Sequence, residues 1–211
     1  MKRAIRGNTG EASRLTGLKT IILPDYDGAI DGTDSNGKGP FQKEASIGDW
    51  LVTFDAPLAT AIGANAFKEC NKLTSVNCPA ATEIADGAFS NCEYLTGVYF
   101  PEVTTLGSNA FYYCRRLAEA HLPKAYEFGA NVFSTVNTLG GANTFTLKTN
   151  TTTPIVFKGK PFGDNTKVTL HLNANADPAP SFGNSVTWNK YNDGSNDVSL
   201  TWFKIEEYQQ P

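Results

Sequence analysis

Three of the four cysteines, Cys70, Cys92 and Cys114, recur at intervals of 22 residues. If each interval is one turn of a stacked structure, their side chains form a ladder with the roughly 4.7–4.9 Å spacing of neighbouring strands. A zinc site needs thiolates that converge on one point, and a disulfide needs a dihedral angle that parallel Cβ vectors fit poorly. We therefore predict buried structural thiols at these positions and at Cys78, with no metal and no cofactor.

A second candidate for chemistry is an acid- and glycine-rich insertion at about 25–47, which offers oxygen ligands for calcium. An EF-hand loop needs acidic residues at positions 1, 3 and 5, glycine at 6 and glutamate at 12. Placing Asn36 and Gly37 at positions 5 and 6 puts Gly32 at position 1 and Lys43 at position 12, so this pattern fails. Because such clusters are typical of turns, we predict a polar loop, and a bound metal ion stays the alternative.

The third candidate is the pair Glu119 and His121, which lie two residues apart. A carboxylate that orients a histidine is typical of a general base, but no nucleophile with a recognised motif accompanies the pair. By the strand period of two, both residues point outward together with Asp55, Asn77 and Tyr99 on preceding strands. We predict that this open face contacts a protein or glycan ligand and carries no enzyme activity. The alternative is an ordinary solvated face.

The elements that position these residues follow from a repeat. The motif Ala66-Phe67-x-x-Cys70-x-x-Leu73-x-x-Val76-x-Cys78-Pro79 recurs twice more with a period of 22 residues, which indicates a stack of coils. Its aromatic position forms a second predicted structural ladder: Phe67, Phe89, Phe111 and Phe133. One coil cannot bury enough apolar surface to offset the entropy of ordering its residues, so the stack is the unit of stability.

Each coil combines two local patterns. Ala66, Phe67 and Cys70 stand at i, i+1 and i+4, which predicts a single helical turn. The residues before these turns are acceptable N-caps: Asn65, Gly87, Asn109 and Asn131. Val76 and Cys78 alternate with polar residues, which predicts a strand, and the proline that follows ends it.

The register continues in drifted form on both sides of the clear repeats. We predict an N-terminal arm at 1–14, a solenoid at 15–175 with its clearest repeats at 48–133, and a C-terminal β cap at 176–211. These parts form one structural domain. The best strand candidates after residue 133 are Phe145 and Leu147. Aromatic residues are expected to cover the last coil: Trp188, Tyr191, Trp202, Phe203 and Tyr208.

Composition excludes several classes of protein. The 211 residues are 40% hydrophobic and 18% charged, so the chain can bury a core. A net charge of −3 argues against nucleic-acid binding, and the lack of 18 consecutive apolar residues argues against a membrane span. The N-terminus lacks the apolar segment of a signal peptide, so the chain is intracellular or a targeting segment was removed. We expect a monomer.

The pattern Ile-Gly-x-x-Ala-Phe-x-x-Cys-x-x-Leu-x-x-Val-x-x-Pro resembles the BspA-type leucine-rich repeats of bacterial surface proteins. The resemblance is clear over 48–133 and faint over 15–24 and 155–173. It implies a right-handed α/β repeat solenoid of the leucine-rich-repeat type, with a parallel β-sheet on one face and short helical turns opposite. Followed along the chain, the register gives roughly six 22-residue coils.

The resemblance also implies export to the cell surface or the extracellular space. The function expected from it is adhesin-like recognition of a protein or host surface, without catalysis. A passive structural or spacer domain is the alternative, and a glycan-binding or glycan-acting protein is the third possibility.

Overall fold

The structure is a computed structural model. It describes residues 18–31, 33, 36–42, 49–139, 144–153, 155–162 and 167–173 in full, and the backbone of 190–192, 197–199 and 203–207. The predicted arm at 1–14 and the side chains of the predicted aromatic cap lie outside the described residues. So do Gly32 and Lys43 of the insertion.

The described residues contain sixteen strands and no helix. The strands are β1 Thr20–Ile22, β2 Ala29–Ile30, β3 Thr53–Asp55, β4 Ala61–Ile62, β5 Ser75–Asn77, β6 Glu83–Ile84, β7 Gly97–Tyr99, β8 Thr105–Leu106, β9 Glu119–His121, β10 Glu127–Phe128, β11 Thr144–Lys148, β12 Val156–Phe157, β13 Lys167–Leu172, β14 Lys190–Asn192, β15 Asp197–Ser199 and β16 Phe203–Glu207. Among these residues there is accordingly no helix long and apolar enough to cross a membrane.

The chain winds through two parallel sheets and forms a β-solenoid of about five turns. The first sheet has the order β1-β3-β5 followed by β7-β9-β11-β13-β16, with a division between β5 and β7. The second sheet has the order β2-β4-β6-β8-β10-β12, so as far as β12 each coil adds one strand to each sheet. The solenoid thus has about five turns, where roughly six coils were expected. The antiparallel pair β14–β15 lies within the predicted C-terminal cap.

The short helical turns expected opposite the first sheet are absent from the described residues. The amides there bond to the next coil instead: Phe67 N donates to the Ala88 carbonyl over 2.8 Å, and Phe89 N donates to that of Ala110 over 2.8 Å. We call this series of bonds the turn ladder. Asn65 has a φ of 55°, in the left-handed region, whereas an N-cap residue has extended dihedrals.

The same left-handed conformation recurs at the other positions predicted as N-caps: Gly87, Asn109 and Asn131. Asparagine and glycine adopt positive φ at low cost, which explains their presence at this point of every coil. The N-cap interpretation of these four residues was therefore wrong.

Four phenylalanines at the aromatic position of the repeat form the axis of the core. Phe67 and Phe89 are fully buried, with ring centroids 5.2 Å apart and planes 3° from parallel. Phe111 stacks on Phe89 at 5.0 Å and Phe133 on Phe111 at 5.6 Å. Stacked rings add attraction beyond the burial of their apolar surface, so the ladder binds each coil to the next.

Two parts of the segment at 25–47 belong to the first coil. Strand β2 pairs with β4 in the second sheet. Phe41 stacks on Phe67 at 5.2 Å and donates its amide to the Ala66 carbonyl over 3.0 Å, as the next coil's phenylalanine does one turn later. The extra residues are therefore distributed around the first coil, between its fixed positions.

Candidate functional site

The three repeated cysteines are buried, and each thiol contacts the preceding coil. Cys70 Sγ donates to the Phe41 carbonyl over 2.9 Å, Cys92 Sγ to that of Phe67 over 3.0 Å, and Cys114 Sγ to that of Phe89 over 3.1 Å. All three are fully buried and free of disulfides. The thiols are thus packed in the core between neighbouring coils. No group of three or more His, Cys, Asp or Glu side chains placed to hold a metal ion occurs in the part of the chain that the structure describes.

Burial also suppresses the nucleophilicity of these thiols. Desolvation raises the pKa of Cys114 to about 12, and it raises the pKa of Cys78, with a smaller contribution from Asp55, to about 12. The pKa values of Cys70 and Cys92 are raised for the same reason. Because the thiolate is the reactive form, these side chains are chemically inert near neutral pH.

The solvent side of the first sheet, which we call the open face, consists of the alternate positions of its strands: Thr20, Ile22, Thr53, Asp55, Ser75, Asn77, Gly97, Tyr99, Glu119, His121, Thr146, Lys148, Thr169 and His171. All five predicted contact residues therefore share one surface. Parallel pairing in register places the second outward residue of each strand beside that of the next strand.

Asp55 and Asn77 form the first pair on this surface. They lie opposite each other on β3 and β5, and Asn77 Nδ2 donates to Asp55 Oδ1 over 2.8 Å. The bond orients the Asp55 carboxylate. This half of the open face is otherwise built from small polar side chains and the exposed Ile22.

Tyr99 and His121 form the second pair, on β7 and β9, with ring centroids 4.8 Å apart. Tyr99 is 56% exposed and presents most of its ring to solvent. Next to it, Gly97 leaves the surface open, because a Cβ placed there would meet nothing nearer than the Glu119 carbonyl oxygen at 3.8 Å. No side chain of Gly97 therefore covers the pair on that side.

Glu119 is engaged by a residue that the sequence analysis did not identify. Lys148 on β11 lies opposite His121, and its Nζ is 2.7 Å from Glu119 Oε2. Partial burial lowers the pKa of His121, and the charge of Lys148 lowers it further against the opposing effect of Glu119. Both effects favour the neutral form of the imidazole. The alternation around Phe145 and Leu147, both buried in β11, was the signal that could have placed Lys148 on the open face.

This geometry suits contact better than proton transfer. The general-base alternative needs Glu119 to orient His121, and the Glu119 carboxylate also pairs with Lys148, so its charge is not directed at the imidazole alone. The side chains of the open face combine the Tyr99–His121 pair with the hydrogen-bonded Asp55 carboxylate and the Glu119–Lys148 ion pair. Exposed aromatic side chains with polar surroundings are typical of binding surfaces.

A second concave feature lies on the second sheet and was not foreseen from the sequence. This groove of about 430 Å³ has three acidic side chains in its lining: Glu83, Asp86 and Glu127. Lys158 pairs with Glu127, and Asp86 Oδ1 accepts a bond from Ser108 N over 2.7 Å. Two of the three carboxylates thus join neighbouring coils.

A further surface feature is a column of side chains that precede the strands of the first sheet. The Tyr94 ring lies 4.7 Å from Lys72 Nζ and 4.4 Å from Arg116 Cζ, one coil away on either side. Such cation–π contacts contribute about 0.5–1 kcal/mol each at exposed sites. We interpret the column as a link between coils.

Comparison with known proteins agrees with this architecture. Residues 52–159 match the BspA type leucine rich repeat region in six copies. Among curated proteins none matches. A leucine-rich repeat protein from Bacteroides ovatus is similar in structure, with 16% identity, a TM-score of 0.47, and coverage of 74% of this chain and 48% of its own. The chain thus spans about half the length of that protein.

A T. pallidum leucine-rich repeat protein is also similar, with 20% identity and a TM-score of 0.43 over 72% of this chain and 81% of its own. The six repeat copies cover just over half of the chain, and they coincide with the coils, ladders and sheets described above. The chain belongs to the BspA-type leucine-rich repeat family.

Proposed function

We propose that this chain is an exported recognition module that binds a protein partner, such as a host-surface protein, through the open face. The observation that carries the proposal is the exposed Tyr99, whose ring contacts that of His121 among the polar side chains of the open face. Aromatic side chains of this kind contribute a large share of binding energy at protein interfaces.

Two general properties of the family support the proposal. Leucine-rich repeats commonly mediate protein interactions, and BspA-type repeats are associated with bacterial surface proteins. The family is generally non-enzymatic, which agrees with the engagement of Glu119 by Lys148. The contact residues that we propose are Asp55, Asn77, Tyr99, Glu119 and His121, with Lys148 added from the geometry.

The test is a binding screen of the purified chain against immobilised extracellular-matrix proteins, with a glycan array run in parallel. We expect binding to at least one protein, and the double variant Tyr99→Ala/His121→Ala should weaken it at least about tenfold. Tyr113→Ala is the matched control, because Tyr113 is an exposed aromatic residue on the turn ladder, away from the open face.

The other outcomes overturn the proposal in different ways. Binding to glycans alone would replace the protein partner with a carbohydrate. Binding that is lost equally in the control and the double variant would move the contact surface off the open face. No binding in either screen would favour the passive spacer.

A further inference from the structure

The first sheet is interrupted at one step. In the neighbouring pairs β3–β5 and β7–β9, a backbone hydrogen bond follows the end of the paired strands. Ala56 N donates to the Asn77 carbonyl over 2.9 Å, and Phe100 N donates to that of His121 over 3.1 Å. The residue equivalent to Ala56 in the next coil is Cys78. In 49–139, all of which the structure describes, no backbone hydrogen bond joins Cys78 to Tyr99, or β5 to β7.

The opposite end of the same two strands shows the same interruption. Thr74 N donates to the Val52 carbonyl over 2.9 Å, and Ala118 N donates to the Thr96 carbonyl over 2.9 Å. By the repeat, Thr96 N would donate to Thr74, but this bond is not formed within the described range 49–139. We call the boundary between β5 and β7 the seam.

The burial of the central residues agrees with the missing bonds. Phe54 and Ala120, at the centres of β3 and β9, are fully buried. Val76 and Val98, at the centres of β5 and β7, are only partly buried, like Ile21 on the edge strand β1. Two strands inside the sheet thus have the exposure of strands at an edge.

The outward side chains also bond away from the seam. Asn77 on β5 donates a hydrogen bond to Asp55 on the preceding strand β3, whereas the Tyr99 ring on β7 contacts that of His121 on the following strand β9. Gly97 has no side chain with which to pack against β5, and glycine weakens a strand. These side-chain contacts therefore join β5 to β3 and β7 to β9, and neither crosses the seam.

The same two coils remain joined at their other contacts. In the turn ladder, Phe67 N donates to the Ala88 carbonyl, and in the core the rings of Phe67 and Phe89 stack. In the second sheet, β6 pairs with β8, and Thr104 N donates to the Thr82 carbonyl over 2.9 Å. Because the two coils lack hydrogen bonds in the first sheet only, they can separate there and pivot about their intact contacts.

We propose that the seam is a hinge, at which the first sheet opens while the second sheet and the turn ladder hold the coils together. The hinge divides the open face between Asn77 and Tyr99, so its motion changes the distance between the two side-chain pairs. It does not depend on the identity of any partner, and it can be tested on the free protein.

Amide hydrogen exchange measured by NMR on the intact chain is the direct test. The amides of Cys78 and Thr96 should exchange at least about fivefold faster than those of Ala56 and Ala118, which occupy the same repeat positions and are bonded. Equal protection of the two pairs would overturn the hinge.

Spin-label distances provide the second measurement. The variant Thr53→Cys/Glu119→Cys spans three strand steps across the seam, and Gly97→Cys/Thr169→Cys spans three steps without crossing it. The four native cysteines are buried, so labelling is confined to the introduced thiols. We expect a wider distance distribution across the seam, and equal widths would contradict the proposal.

Discussion

Cys92 Sγ donates a hydrogen bond over 3.0 Å to the carbonyl oxygen of Phe67, which lies in the preceding coil. The same carbonyl accepts the Cys70 amide over 3.0 Å. A thiol is therefore used here as a small buried donor that ties two coils together. This explains why cysteine recurs at a position where an aliphatic residue would also fit the core.

The first prediction concerns this contact. Cys92→Ala removes the thiol bond and leaves a small cavity, while the Cys70 amide continues to bond to the carbonyl. We expect a loss of about 1–2 kcal/mol in the free energy of unfolding, measured by urea denaturation. Metal content should not change, and a marked loss of bound metal in the variant would contradict the structural role of the thiol ladder.

The second prediction concerns the pH dependence of stability. The pKa of Cys114 rises from its ordinary 9.0 to about 12 on folding, so the unfolded chain loses this proton first. Its stabilising contribution is complete below pH 9 and is lost as the pH rises from 9 towards 12. Between pH 10 and 11, Cys114→Ala should reduce the fall in unfolding free energy by about 1.4 kcal/mol per pH unit. Parallel pH profiles for the two proteins would contradict the assignment.

The third prediction tests the left-handed turns. Asn109 has a φ of 58°, and the equivalent residue in the preceding coil is Gly87. Asn109→Ala should cost about 1 kcal/mol because alanine adopts this conformation poorly. Asn109→Gly should be close to neutral, and thermal unfolding of both variants measures the difference. A stabilising effect of Asn109→Ala would favour a helical turn instead.

The fourth prediction compares two glycines. A Cβ at Gly107 would lie 2.4 Å from the Asp86 backbone nitrogen, whereas a Cβ at Gly97 would meet its nearest neighbour at 3.8 Å. Gly107→Ala should therefore destabilise the chain by about 1–3 kcal/mol through overpacking between coils. Gly97→Ala should be neutral or slightly stabilising. The free energies of unfolding of both variants are measured by urea denaturation, with Gly97→Ala as the control. Equal effects would mean that the coils at Gly107 can separate.

Much of the fold could be predicted because the same local pattern recurs in every coil. The strand at Val76, the buried Phe67 and the thiol of Cys70 each follow from alternation and from the period of 22 residues. The turns could not be predicted in this way. Ala66, Phe67 and Cys70 have a helical spacing, but their amides are divided between bonds within the coil and bonds to the next coil.

The candidate surface was predictable in part for the same reason. Asp55 and Tyr99 occupy outward strand positions in regular repeats, so their side of the sheet follows from the register. The register did not identify Lys148 as the partner of Glu119, because Glu119 on β9 pairs with Thr146 on β11, which lies 27 residues later instead of 22. The seam was hidden as well, because β5 and β7 have the same local pattern as their paired neighbours.

The stack of parallel rings has a consequence for evolution. Phe67, Phe89 and Phe111 present nearly identical contacts above and below. Because the turn ladder between their coils also repeats, a duplication or deletion of one 22-residue unit would create no new kind of contact along the ring stack and the turn ladder. Unequal recombination within the gene can therefore lengthen or shorten the solenoid in single steps. Each step would change the number of outward side-chain pairs without a change in the core.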